Sequence, residues 1–199
     1  MITGPSLRLQ LTIAIAVTAV GCALSIPPLR ALIEQSMVWH MVIQMPILAA
    51  AGWLWAQFFG QRYLTARPNS WNQYGLTSFM AAQIIFTFWM LPVEIDRAVV
   101  LYEVDALKLA SLIAFGALMH RSVKNSPATL QLFFVGYAVS MLLTAGAFLA
   151  TSERRLCNAY ALESQWSAGV GLMLLGATMG CAWLWQVFRP GAKGSATLV

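Results

Sequence analysis

Charge is scarce in this sequence. Only 10% of its 199 residues are Asp, Glu, Lys or Arg, against roughly 25% in a soluble globular domain. Hydrophobic residues make up 59% and the mean hydropathy is +0.70, so a soluble fold is excluded on composition. Cysteine is scarce as well. Cys22, Cys157 and Cys181 contain no CxxC pair, which removes zinc knuckles and thioredoxin-like chemistry from consideration. Histidine occurs twice, as His40 and His120. There is no GxSxG, no HExxH, no phosphate loop and no dinucleotide fingerprint, and the expectation is a protein that is not an enzyme. The net charge of +5 needs no nucleic-acid partner, because basic residues also set the orientation of membrane proteins.

The chain has long apolar runs instead. Inside lipid every backbone polar group must be satisfied internally, which leaves helices or a closed barrel. The runs here are continuous rather than alternating at every second residue, so they predict helices. The expected fold is all-α: a single-domain polytopic membrane bundle over residues 1–199. Six spans are expected, at about 9–26, 37–59, 76–93, 99–119, 130–150 and 167–188, each near the ~20 residues that cross the hydrocarbon layer. A competing reading of the first span is a cleaved signal sequence, since Ala19-Val20-Gly21-Cys22 faintly resembles a lipoprotein cleavage box.

With six spans both termini share a side. Arg8, Arg62, Arg67, Arg121, Lys124, Arg189 and Lys193 fall there, without an acid. The basic bias places that side in the cytoplasm of a bacterial inner membrane. The acids Glu34, Glu94, Asp96, Glu103, Asp105, Glu153 and Glu163 all fall on the other side. Asp105 and Lys108 are three residues apart and can pair on one helix face. They read as a salt bridge at the outer rim or as the lining of an outward-facing vestibule.

The stretch Glu34–Trp55 carries the candidate chemistry. Met37, His40, Met41, Gln44 and Met45 fall with Glu34 on one face of an α-helix, within an arc of about 140° at ~3.6 residues per turn. Pro46 follows and predicts a kink. Thioethers and an imidazole select soft or borderline metals, and copper as Cu(I) is the natural candidate. Met37, His40, Met41 and Met45 are the expected ligands, with Glu34, Gln44 and Cys157 as auxiliaries. Methionine is also a common filler of packed interiors. His120 belongs to the opposite membrane surface and is not a partner for His40.

Small residues mark packing seams: Gly136, Ser140 and Thr144 in span five, and Gly169, Gly176 and Gly180 in span six. Gly176 and Gly180 serve the bundle itself or a homodimer. Cys181 reads as a small core residue, and Cys22 and Cys157 are candidates for a disulfide on the outer side.

W-H-M-V-I-Q-M-P-I-L-A-A-A-G-W resembles the H-M-x-x-H-M…P-L-L-x-x-G signature of the CtaG-type, caa3-type cytochrome c oxidase assembly proteins. F-W-M-L-P-V-E-I-D-R-A-V resembles their W-x-x-P…(Y/F)-D-x-A segment. The resemblance covers about residues 34–100. It implies a multi-span inner-membrane factor that helps supply copper to an oxidase. It gives His40, Met41 and Met45 a metal role, and Trp89, Pro92 and Asp96 a structural one. Gln44 stands near the place of a second motif histidine, so weak or transient metal contact is expected. The implied partners are a respiratory oxidase subunit or a copper chaperone. The competing expectations are a small transporter or channel and a structural accessory subunit of a membrane complex.

Overall fold

The computed structural model describes residues 7–27, 29–30, 36–62, 70–155, 160 and 162–189. Among these residues the chain is all helical, with no strand. The helices are α1 (Leu7–Ala23), α2 (Met45–Arg62), α3 (Leu76–Trp89), α4 (Pro92–Val100), α5 (Tyr102–Asn125), α6 (Ala128–Thr151) and α7 (Leu162–Phe188). A π-helical segment, Trp39–Gln44, runs directly into α2. Glu34 and Cys157 lie outside the described residues, as does the proposed Cys22–Cys157 pairing; Cys22 carries a free thiol.

Fewer than six of the described stretches have the length and apolar composition of a membrane crossing. Three described helical stretches are both long and apolar enough to cross a bilayer: Trp39–Gly60, Ala128–Thr151 and Glu163–Phe188. A fourth arises if Trp71–Trp89 and Pro92–Val100, bent by 74°, count as one broken span. Two physical causes reduce the count. At 17 residues α1 is about 25 Å long at 1.5 Å per residue, short of the ~30 Å hydrocarbon layer. The 24 residues of α5 suffice in length, but Glu103, Asp105, Lys108, Arg121 and Lys124 interrupt its apolar character.

The expected continuous third span ends early. Met90 closes α3 and Leu91 is extended at φ −78, ψ 122. Pro92 then opens α4 at its first turn, where a missing N–H does no harm. Leu101 is extended again, at φ −110, ψ 120, and α5 starts afresh.

Packing joins α1 to α2, α2 to α5 and α5 to α3, while α6 and α7 form a separate hairpin that meets the π-helical segment. Glycine sets the closest approaches. A Cβ on Gly52 would overlap the Ile113 carbonyl, and one on Gly116 would overlap the Ala49 carbonyl. In the hairpin, a Cβ on Gly146 would sit 2.6 Å from the Gly169 carbonyl oxygen. Gly176 faces Leu142 and Val139 of the same hairpin, so its seam is used within the chain. The other expected seam is absent. Ser140 and Thr144 are exposed, Gly136 meets nothing within 4 Å, and both hydroxyls bond back to their own helix. The buried face of α6 is Phe134, Val135, Ala138, Leu142, Gly146 and Leu149 instead. Cys181 is likewise exposed rather than core.

The bundle separates charge by end. Arg8, Arg121, Lys124 and Arg189 lie at the end where α1 and α6 begin and α2, α5 and α7 finish. Glu94, Asp96, Glu103, Asp105, Glu153 and Glu163 lie at or near the opposite helix ends.

Gly52→Ala or Gly116→Ala should destabilise the protein by about 3 kcal/mol, the scale of overpacking a closed contact. Gly136→Ala should be neutral. Thermal unfolding of the detergent-purified chain checks this, and equal behaviour of the three variants would refute the close α2–α5 contact.

Candidate functional site

The π-helical turn has a local cause. In a regular helix Pro46 would lack its N–H and press its ring on the Val42 carbonyl. Instead the Met45 N–H reaches His40 O, five residues back, and the turn before the proline widens. Such single π turns are a common way of accommodating an extra residue in a helix. The expected kink is thus a wide turn. Met37, His40, Met41, Gln44 and Met45 all face the interior, each at most 5% exposed. Trp39 at 53% and Ile43 at 36% face outward.

The interior is divided by chemistry. His40 faces charge. Its Nε2 is 3.3 Å from Lys108 Nζ, and Lys108 Nζ is 2.6 Å from Asp105 Oδ1. Arg30 Nη1 stands 3.8 Å from Asp105 Oδ2. Arg30 also donates to the Ala98 and Val99 carbonyls at 3.0 and 2.6 Å, where cationic donors suit the last turn of α4. Its guanidinium lies 4.8 Å from the Tyr102 ring centroid, a cation–π distance. Asp105 and Lys108 were expected at a wet rim. Their side chains are 7% and 1% exposed, so the pair is buried rather than at an exposed rim.

The lysine fixes the imidazole. An ammonium has donors only, so His40 Nε2 accepts and the ring proton sits on Nδ1. That Nδ1 is buried without a hydrogen-bond partner among the described residues. The Tyr160 ring stands edge-on, 6.2 Å from the imidazole. A metal ion at Nε2 would have to displace the Lys108 ammonium. A metal ion at Nδ1 would force the proton to Nε2, against that ammonium. His40 is therefore held away from metal ligation in this arrangement.

The methionines divide as well. Met37 is packed in the core, and its backbone N–H bonds Ser164 Oγ at 2.6 Å. Gln44 reaches Ser25 Oγ at 2.9 Å. Met41 and Met45 line a cavity of about 190 Å³ together with Met90, Met119 and Met179. Five of the ten methionines of the chain thus border one apolar space. Phe86, Trp89 and Phe115 contribute aromatic walls. Trp89 is held by its Nε1–H to Ser111 Oγ at 2.8 Å, and Pro92 starts the helix that turns away. No group of three or more His, Cys, Asp or Glu converges among the described residues; the soft donors that line the cavity are thioethers.

Arg30, Met90, Met119 and Met179 escaped the sequence reading. Arg30 follows the apolar first helix near two prolines and reads as a loop residue. The three methionines come from α3, α5 and α7, and no spacing links them. Asp105 carried the one usable signal, since a buried carboxylate requires cationic partners.

Removing one member of a buried pair leaves an uncompensated charge, at about 3–5 kcal/mol. Asp105→Asn should destabilise on that scale. The Asp105→Asn/Lys108→Met double variant should recover part of the loss. A double-mutant cycle by thermal or denaturant unfolding measures it, and additive effects would show that the two charges are not coupled.

No protein family, curated protein or solved structure matches the chain.

Proposed function

We propose that this chain is a membrane protein that handles a soft monovalent cation, Cu(I) above all, in its methionine-lined cavity. One observation carries the reading: Met41, Met45, Met90, Met119 and Met179 border the same apolar space. Thioethers are soft, neutral ligands that favour Cu(I) over hard ions. They hold it without a matching negative charge, which suits transient transfer better than tight storage. A monovalent ion is also cheaper to dehydrate than a divalent one. An apolar cavity of this size excludes water, which would slow oxidation of the bound ion.

In this reading His40 guards the cavity rather than binding the ion first. It precedes Met41 on the same wide turn and is engaged by Lys108. An incoming cation is repelled by Lys108 and Arg30, whose charge Asp105 offsets in part. The positive-inside bias favours the basic end as cytoplasmic and the His40 end as periplasmic. The likeness of residues 34–100 to the caa3-type oxidase assembly proteins supports delivery to a respiratory oxidase, with the oxidase subunit or a copper chaperone as partner.

A second reading rests on the charge cluster alone. Ionisable groups inside a membrane bundle often form transport pathways, and broken helices often surround them. Arg30, His40, Asp105 and Lys108 meet where the π turn and the α3–α4 bend interrupt the helices. Ion flux in liposomes that depends on Asp105, with no retained copper, would favour a small transporter instead.

The test is Cu(I) retention by the detergent-purified chain under reducing conditions, against chelators of graded affinity. The wild type should retain about one Cu(I) per chain, with thioether donors. Met41→Leu/Met45→Leu/Met90→Leu should weaken retention at least about tenfold, the scale of losing a ligand interaction. His40→Ala should retain most of it. Equal retention by wild type and triple variant would sink the proposal.

A further inference from the structure

A polar pocket of about 550 Å³ opens at the basic end of the bundle and shares no lining residue with the methionine cavity. His120, Lys124, Ser126 and Gln186 contribute to its wall, and Trp53 and Tyr74 flank it. The α5–α6 junction forms its floor, where only Ser126 and Pro127 separate two helices.

Two features of this junction bear on what it takes. The last carbonyls of a helix normally present negative potential. Here the Gln131 amide donates to the Val123 and Ser126 carbonyls, at 2.9 and 3.0 Å. Gln131 is itself held by the Trp183 indole N–H, at 3.1 Å. The negative end is thereby covered. Two polar atoms beside it are left over: His120 Nδ1 and Ser126 Oγ are buried without a hydrogen-bond partner among the described residues. Both can donate. The His120 ring is held edge-on by Trp53, with centroids 5.0 Å apart. Lys124 is exposed and lines the same pocket. Buried polar atoms are normally paired, so two orphan donors beside a cation and a covered helix end describe a site for an acceptor that carries negative charge.

We propose that this pocket binds a phosphate-type anion, presented by the headgroup of an anionic phospholipid. Lys124 supplies the charge, and His120 and Ser126 supply hydrogen bonds to phosphoryl oxygens. The lipid source is favoured by the surroundings. Trp71, Tyr74 and Trp185 are 84%, 62% and 73% exposed near this end, as aromatic residues are at the level of lipid headgroups. Arg189 at the same end adds attraction for an anionic surface. The lipid would tie the α6–α7 hairpin to α2 and α5, because the pocket walls come from all of them.

The experiment uses the full chain in neutral detergent and follows its unfolding temperature. Phosphatidylglycerol should raise Tm, and phosphatidylcholine should not. Lys124→Gln and His120→Gln should each weaken the apparent affinity about tenfold, as for loss of one charge-assisted hydrogen bond. Arg121→Gln, which does not line the pocket, should leave it unchanged and controls for general surface charge. Inorganic phosphate is the second arm. A rise with phosphatidylglycerol alone supports the lipid headgroup, whereas a rise with millimolar phosphate of the same size overturns the lipid source. No rise with either, or a rise that survives Lys124→Gln and His120→Gln, overturns the site. Copper retention is measured separately, so failure here leaves the cavity reading standing.

Discussion

The ion pair between Lys108 and Asp105 is the constraint around which the acidic end is arranged. Two charges removed from water are stable only if their remaining valences are met. Asp105 takes Arg30 as a second cation, and Lys108 takes His40 as an acceptor. Arg30 in turn caps the carbonyls of α4. One buried carboxylate thus ties together α4, α5, the turn after α1 and the π-helical segment. The short, steeply bent α4 is part of the same arrangement, since its last carbonyls are what Arg30 reaches. The imidazole tautomer is a further consequence, because an ammonium can only donate.

Below that charged layer the bundle turns apolar within a turn of helix. His40 faces the cations, while Met41, its neighbour, faces an apolar cavity. The wide π turn allows adjacent residues to address two environments, and Pro46 is the reason the turn is wide. The opposite end follows different physics: its carbonyls are capped by Gln131, its aromatics are exposed, and its unused donors face a polar pocket.

Much of the candidate site was legible in local pattern. Met37, His40, Met41, Gln44 and Met45 share an inward face, as helical spacing implies. Asp105 and Lys108 pair, as a spacing of three implies. What local pattern lacked was depth. The spacing of Asp105 and Lys108 suggests a rim pair, yet both side chains are buried. Charge and backbone breaks also mark where a run differs from a simple apolar span: α5 is a helix of the expected length that carries several charges, and the run after Trp89 bends at Leu91. Ser140 and Thr144 show the same limit, because small residues mark a close approach only if a second helix is there.

Composition alone determined that the chain is helical and suited to a membrane, since a chain this apolar must satisfy its own backbone. It also determined which residues are chemically capable: one imidazole and a run of thioethers beside a proline. Only the tertiary structure decided which of them meet. Contacts between Arg30 and Asp105, or among Met41, Met90 and Met179, join segments far apart in the chain, and no periodicity encodes them. Likewise, whether His40 is a ligand or an acceptor depends on Lys108, 68 residues away. A side chain's chemistry is set by its partners, and partners are set by packing.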